Sequence, residues 1–279
     1  MSDEAVSRTP IGAGLELGSP HHVPSALRTF AAVLGRDVVV TGRELLIFLA
    51  QVGLQPLFLL FIFGKVLTSL GYATNDYAHL LFPGIVALTA ALTALQSTAL
   101  PLVIDFSFSR EIEDRLLAPM PTWSVAVEKM LFAAMRALVA SVVMFPVGIL
   151  VLGSIPWRAS GVPLLIGIMV LGALVGSAIG LTLGTLVPPN RIQIMFALIL
   201  TPILFTGCNQ YPWPSLSHIR WFQAVTALNP ITYVSEGMRA ALTPSVPHIR
   251  PWICLLALLG SLAVFTYVGV RGFMRRAID

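Results

Sequence analysis

The feature that most constrains this chain is the grouping of its apolar residues into long runs with few charges. A helix needs about 20 consecutive apolar residues to cross a hydrocarbon core about 30 Å thick. Such runs occur at about residues 45–68, 80–104, 127–152, 162–187, 192–208 and 252–270. Only 11% of the 279 residues are charged, against about 25% in a soluble domain. The sequence therefore predicts an all-α integral membrane protein with about six transmembrane helices.

The segments before the first run are polar. Residues 1–23 mix Gly, Ser, Pro, His and charges without periodicity, which predicts a flexible cytoplasmic tail. No apolar signal-peptide core precedes Glu44, so we expect the N-terminus to stay in the cytosol. Residues 24–44 place apolar side chains opposite arginines at helical spacing. This favours an amphipathic helix in the cytoplasmic interface over a short soluble helix, with residues 45–279 forming the transmembrane domain.

Basic residues are unevenly shared between the predicted sides of the membrane. Eleven fall on the cytoplasmic side: Arg8, Arg28, Arg36, Arg43, Arg110, Arg115, Lys129, Arg191, Arg271, Arg275 and Arg276. Five fall on the outer side: Lys65, Arg158, Arg220, Arg239 and Arg250. Because cytoplasmic connections carry an excess of Lys and Arg, both termini are predicted inside. The basic residues lie at the ends of apolar segments, a placement that suits lipid headgroups, and we expect no nucleic-acid partner.

Small residues mark one face of the fourth apolar run. They recur every fourth position, at Gly172, Gly176, Gly180 and Gly184. Small residues at this spacing let a second helix backbone approach closely. We therefore expect this face to serve helix packing.

Polar residues mark one face of the second apolar run, at Thr89, Thr93, Gln96 and Ser97. Their hydroxyl and amide groups either bond to neighbouring helices in a dry contact or line a translocation pathway for an amphipathic solute. We add to that candidate pathway Phe205 and Asn209, near the outer end of the fifth run. Both interpretations remain open at this point.

The connection between the second and third runs carries dense charge of both signs. Its candidate contact residues are Arg110, Glu111, Glu113, Asp114, Arg115 and Leu116. Pro119 and Pro121 follow and should stop a helix. A short charged helix with an apolar end is shaped for docking into another protein, and a solvated turn is the alternative.

The long outer segment before the last run is irregular. Residues 221–242 look helical and apolar, but polar and helix-interrupting residues lie among them: Asn229, Pro230, Tyr233, Glu236 and Arg239. Crossing the bilayer here would expose the charges to lipid. A pair of re-entrant or surface-lying helices is therefore predicted. A seventh span is the alternative, and it would put the C-terminal arginines outside, against the charge rule.

Two of these segments resemble permeases of the ABC-2 exporter family. They read SREIEDRLLAPMPTWSVAVEK, residues 109–129, and LNPITYVSEGMRAAL, residues 228–242. The resemblance implies that Glu111, Glu113 and Arg115 lie on or near a coupling helix contacting a nucleotide-binding subunit. It also implies a pathway between two permease subunits, walled by the second and fifth spans, in a bacterial plasma membrane. The implied cargo is a drug, lipid, glycolipid or polysaccharide.

The chain contains no G-x-x-x-x-G-K-[ST] loop to bind nucleotide phosphates. We therefore expect no catalytic residue and no cofactor on this chain, with ATP and Mg²⁺ bound by two copies of a separate ABC ATPase. An intramembrane enzyme is disfavoured because the common hydrolase motifs are absent. An ion-coupled carrier needs mid-span carboxylates, which are missing. A non-transporting membrane scaffold remains an alternative.

The chain has two cysteines, Cys208 and Cys254, too few for a tetrahedral metal site. The predicted topology places them at the outer ends of the fifth and sixth runs. They either form a disulfide that staples the outer segment or remain free as small buried side chains.

Overall fold

A computed structural model describes residues 26–43, 45–72, 74–106, 121–188 and 191–278. Most of these residues are helical, and none of them forms a β-strand. The helices are α1 (Ala26–Arg43), α2 (Leu45–Ser69), α3 (Asn75–Ile104), α4 (Thr122–Leu152), α5 (Val162–Leu186), α6 (Ile192–Thr206), α7 (Arg220–Ala227), α8 (Pro230–Leu242) and α9 (Pro251–Ile278). Short 3₁₀ helices form at Ala159–Gly161 and Trp213–His218. The predicted all-α fold is confirmed.

Five helices of the described residues are long and apolar enough to cross a membrane: α2, α3, α4, α5 and α9. The run predicted as the fifth span forms α6, whose 15 residues extend about 22 Å. This falls short of a hydrocarbon core of about 30 Å. The last two residues of the apolar run, Gly207 and Cys208, lie beyond the end of the helix.

The first long helix, α2, is not uniform. It is α-helical over Leu45–Leu59, π-helical over Leu60–Val66 and α-helical again over Leu67–Ser69. Pro56 lies within its first part and has no N–H to donate. The winding of α2 therefore changes part way along its length. A π-helical segment within an α-helix is frequently found at functional sites.

Helix α3 forms the centre of the molecule. It packs on α4, α5 and α8, and every residue from 81 to 95 is buried. In its most apolar stretch 89% of the residues are buried, against 17% in α2 and in α9. The outer faces of α2 and α9 are thus left for lipid or for another protein.

Three of the four glycines in α5 lie against the backbone of α3. A Cβ added to Gly176 would lie 2.6 Å from the Ala91 carbonyl oxygen, and one added to Gly180 would lie 2.5 Å from that of Leu95. Real Cβ atoms do not approach so closely, so only glycine permits this contact between the two helices. Gly184 continues the contact further along α3, near Ala99.

The fourth glycine contacts a different helix. A Cβ on Gly172 would lie 2.6 Å from a methyl carbon of Val234 in α8. The glycine face therefore contacts both the central helix α3 and helix α8.

Both cysteines are free and buried. The disulfide alternative is therefore wrong, and the thiols behave as small buried side chains. Cys208 follows α6 with a φ of 51°, a left-handed conformation that is uncommon outside glycine. Burial raises the pKa of its thiol to about 11, which keeps it protonated at neutral pH.

Candidate functional site

A small polar cavity of about 40 Å³ lies between α2 and α3. It is lined by Gln51, Val52, Gln55, Pro56, Leu88, Thr89, Leu92, Thr93 and Gln96. Amides on α2 thus face hydroxyls and an amide on α3 within two otherwise apolar helices. The polar lining is uncharged, so the cavity offers hydrogen bonds without an ion-pairing group. It has room for about one water molecule.

The structure brings together three of the six predicted pathway residues, Thr89, Thr93 and Gln96. Thr89 and Thr93 are nearly buried, and the Thr89 hydroxyl donates to the Ile85 carbonyl 2.8 Å away. Ser97 is half-buried and does not line the cavity.

The two remaining pathway candidates lie elsewhere. Phe205 is exposed near the end of α6, whereas Asn209 is buried in a separate polar cluster described below. The sequence analysis missed Gln51 and Gln55. Two amides four residues apart in the first apolar run were the signal that pointed to them.

The polar cluster joins the end of α6 to one face of α8. The last carbonyls of a helix have no intrahelical donor, and here α8 supplies several donors. The Asn229 amide donates to the Ile203 carbonyl at 2.9 Å. The Thr232 hydroxyl oxygen lies 3.1 Å from the Thr206 carbonyl oxygen. The Ser235 hydroxyl oxygen lies 2.9 Å from the Gly207 carbonyl oxygen. Polar side chains at intervals of three residues, beginning at the cap of α8, thus lie against the end of α6.

Asn229 and Pro230 also begin α8. The Asn229 side-chain oxygen accepts from the Ile231 N–H at 3.0 Å, which is the usual cap for a helix start. Pro230 occupies the first helical position, where its missing N–H is not needed. Tyr233 joins α8 to α7, since its hydroxyl donates to the Ala227 carbonyl at 2.8 Å.

Glu236 and Arg239 form an ion pair within this cluster, and neither side chain is exposed to solvent. Arg239 Nη1 donates to Glu236 Oε1 at 2.6 Å. The second terminal nitrogen of Arg239 donates to the carbonyls of Cys208 and Asn209. The charges that would have faced lipid in a seventh span are thus enclosed by protein.

The Glu236 carboxylate also fixes the two loops on either side of α7 and α8. It accepts from the backbone N–H of Trp213 at 2.9 Å and from that of Ile249 at 3.0 Å. Burial lowers the pKa of Arg239, and the adjacent carboxylate opposes that shift. The delocalised guanidinium of arginine stays charged in proteins. The ion pair therefore ties the loops on either side of α8 to that helix.

Gly84 in α3 allows the cluster to sit directly on the central helix. A Cβ on Gly84 would lie 1.8 Å from the Asn209 carbonyl oxygen. That oxygen accepts from Arg239 at 3.1 Å. The buried cluster therefore contacts α3 through backbone atoms.

The predicted docking residues Arg110, Glu111, Glu113, Asp114, Arg115 and Leu116 lie outside the described residues. The helices that flank them are described. Lys129 of α4 forms an ion pair with Asp105, just after α3, and both side chains are largely buried. This pair joins the end of α3 to the second turn of α4, the two helices that the connection links.

Together these features define a multi-pass helical membrane protein with a polar cavity between two of its long helices. A sequence profile described as ABC-2 type transporter matches residues 28–243. The chain belongs to the ABC-2 type transporter family. The match begins within α1 and ends just after α8.

A protein of Cyanophora paradoxa named "Putative transport permease ycf38" is 28% identical to this chain over 198 residues. The alignment covers 67% of this chain and 64% of that protein. The chain thus spans less than two thirds of the length of this relative.

Proposed function

We propose that the chain is the permease subunit of an ATP-driven exporter. It moves an amphipathic solute, such as a drug, lipid, glycolipid or polysaccharide, out of the cytoplasm or inner leaflet of a bacterial plasma membrane, with both termini cytoplasmic. The observation that carries the proposal is the polar cavity between α2 and α3, in a chain of the ABC-2 type transporter family.

The energy source in this proposal is a separate subunit. Because the chain has no phosphate-binding loop, ATP and Mg²⁺ bind to two copies of an ABC ATPase. Residues 110–116 contact that subunit. The Asp105–Lys129 pair holds together the helices that would receive the force.

A second permease subunit, either identical or a paralogue, completes the pathway in this proposal. Gln51 and Gln55 are exposed within the apolar α2, and amides facing lipid are costly. Among the side chains of α6 that the structure describes, Leu198 and Phe205 are exposed. A second subunit would cover these surfaces.

Thiol labelling tests the pathway without knowledge of the cargo. Gln55→Cys should react with a membrane-impermeant maleimide in at least one nucleotide state when the permease is assembled with its ATPase. Leu54→Cys, at an exposed apolar neighbour on α2, should react about ten-fold more slowly because lipid excludes the reagent. The buried native thiols should stay unlabelled in the parent protein. If Gln55→Cys is protected in every nucleotide state, the cavity is a dry contact and this pathway is wrong.

Charge reversal tests the coupling segment. The double variant Glu111→Lys, Glu113→Lys should stimulate the ATPase at least about ten-fold less than the parent permease does. The reason is that like charges at a contact cost several kcal/mol. Its membrane abundance should match the parent. The control Arg275→Glu reverses an exposed charge on α9 and should retain stimulation. Normal stimulation in the double variant would refute the assignment.

A further inference from the structure

A pocket of about 210 Å³ lies between α4 and the junction of α1 with α2. It is lined by Gly42, Leu45, Phe48, Phe132, Met135, Arg136 and Val139. Apart from Arg136 the lining is apolar. A dry cavity of about 150 Å³ already accommodates benzene, so this pocket has room for part of an acyl chain.

Arg136 places one cation in this apolar setting. Its guanidinium carbon lies 4.1 Å from the centre of the Phe48 ring and 5.8 Å from that of Phe132. Its Nε is buried without a hydrogen-bond partner. No carboxylate among the described residues lies within ion-pair distance of it. Ring faces alone therefore balance a half-buried charge, and this is weaker than pairing with an anion.

The height of Arg136 matches that of a lipid headgroup. Phe48 is three residues beyond the start of α2, which is about 4.5 Å along the helix axis. The amphipathic helix α1 ends at Arg43, immediately before that point. A helix of this type lies at the boundary between headgroups and acyl chains, which would place the guanidinium just below the phosphate level.

We propose that this pocket binds one anionic membrane lipid, whose phosphate pairs with Arg136 and whose acyl chain enters the apolar part. The planar guanidinium suits bidentate bonds to phosphate oxygens, and the rings of Phe48 and Phe132 hold it in place. The site needs neither the ATPase nor a transported solute. Its occupancy is therefore independent of the function proposed above.

Native mass spectrometry of the purified full-length chain tests the site, with phosphatidylglycerol and phosphatidylcholine as probes. The parent protein should retain one phosphatidylglycerol per chain and bind phosphatidylcholine at least about ten-fold more weakly. Arg136→Met should lose about ten-fold in phosphatidylglycerol affinity, because one charge-assisted contact is removed. Arg36→Met, which removes an exposed arginine on α1, should bind as the parent does.

Three results would overturn the site. Equal retention of the two lipids by the parent would show that no anion is selected. Equal losses in Arg36→Met and Arg136→Met would indicate general surface charge. Glu44 lies outside the described residues. If phosphatidylglycerol binds only to the variant Glu44→Gln, then Glu44 pairs with Arg136 in the parent protein and excludes the lipid. If Arg136→Met does not accumulate, equal retention of the two lipids by the parent would still overturn the site.

Discussion

Replacing Arg239 with Met should destabilise the protein by about 3–5 kcal/mol, the usual cost of removing one partner from a buried ion pair. The Glu236 carboxylate would keep its two backbone donors but lose its cation in a site without solvent. The carbonyls of Cys208 and Asn209 would lose a donor as well. The midpoint of thermal unfolding in detergent, measured by size-exclusion chromatography after heating, reports the change.

Two further variants separate the ion pair from a general effect of losing an arginine. Arg220→Met removes an exposed arginine at the start of α7 and should change stability by no more than about 0.5 kcal/mol. Adding Glu236→Gln to Arg239→Met should restore part of the lost stability, because the isolated buried charge is gone. If Arg239→Met and Arg220→Met unfold at the same temperature, the buried pair contributes nothing.

Gly84→Ala should cost about 3 kcal/mol or more, at or above the upper end of overpacking penalties. The added Cβ meets the Asn209 carbonyl oxygen at 1.8 Å. That oxygen belongs to the backbone, and a Cβ is fixed rigidly to its own backbone, so neither can rotate away. The turn after α6 or helix α3 must therefore move, and the bond from Arg239 to Asn209 would be broken with it. The thermal midpoint and the yield of monodisperse protein measure the loss.

Gly260→Ala is the matched control in α9. A Cβ at Gly260 meets nothing within 4 Å, and Ala is favoured over Gly in a helix by about 1 kcal/mol. This variant should be as stable as the parent or more so. An unchanged melting temperature for Gly84→Ala would contradict the close approach of the outer cluster to α3.

The sequence predicted the long helices because apolar length is a local property. The amphipathic segment 24–44 contains α1, at Ala26–Arg43, and the second run, 80–104, lies within α3, at Asn75–Ile104. Counting apolar residues overestimated the length of the helix in the fifth run, because hydropathy does not register that Gly207 ends that helix. Local pattern therefore gives the existence of helices more reliably than their ends.

The candidate site depended on contacts that no local pattern contains. The spacing of Glu236 and Arg239, three residues apart on a helix, is compatible with an ion pair. The bonds from Glu236 to Trp213 and Ile249 depend on how distant loops fold back. Likewise, the amides of α2 are visible in the sequence, but their position opposite Thr89 and Thr93 follows from tertiary packing. Of the two alternatives for the cysteines, the disulfide failed because nearness along a predicted membrane surface does not set thiol geometry.

The hydrogen bonds between α8 and the end of α6 bear on the order in which the chain is made. The donors for the carbonyls of Ile203, Thr206 and Gly207 come from residues 26 to 28 positions later. During synthesis these carbonyls lack their native donors until the ribosome has produced Asn229 to Ser235. The end of α6 therefore acquires these native hydrogen bonds late, together with α8.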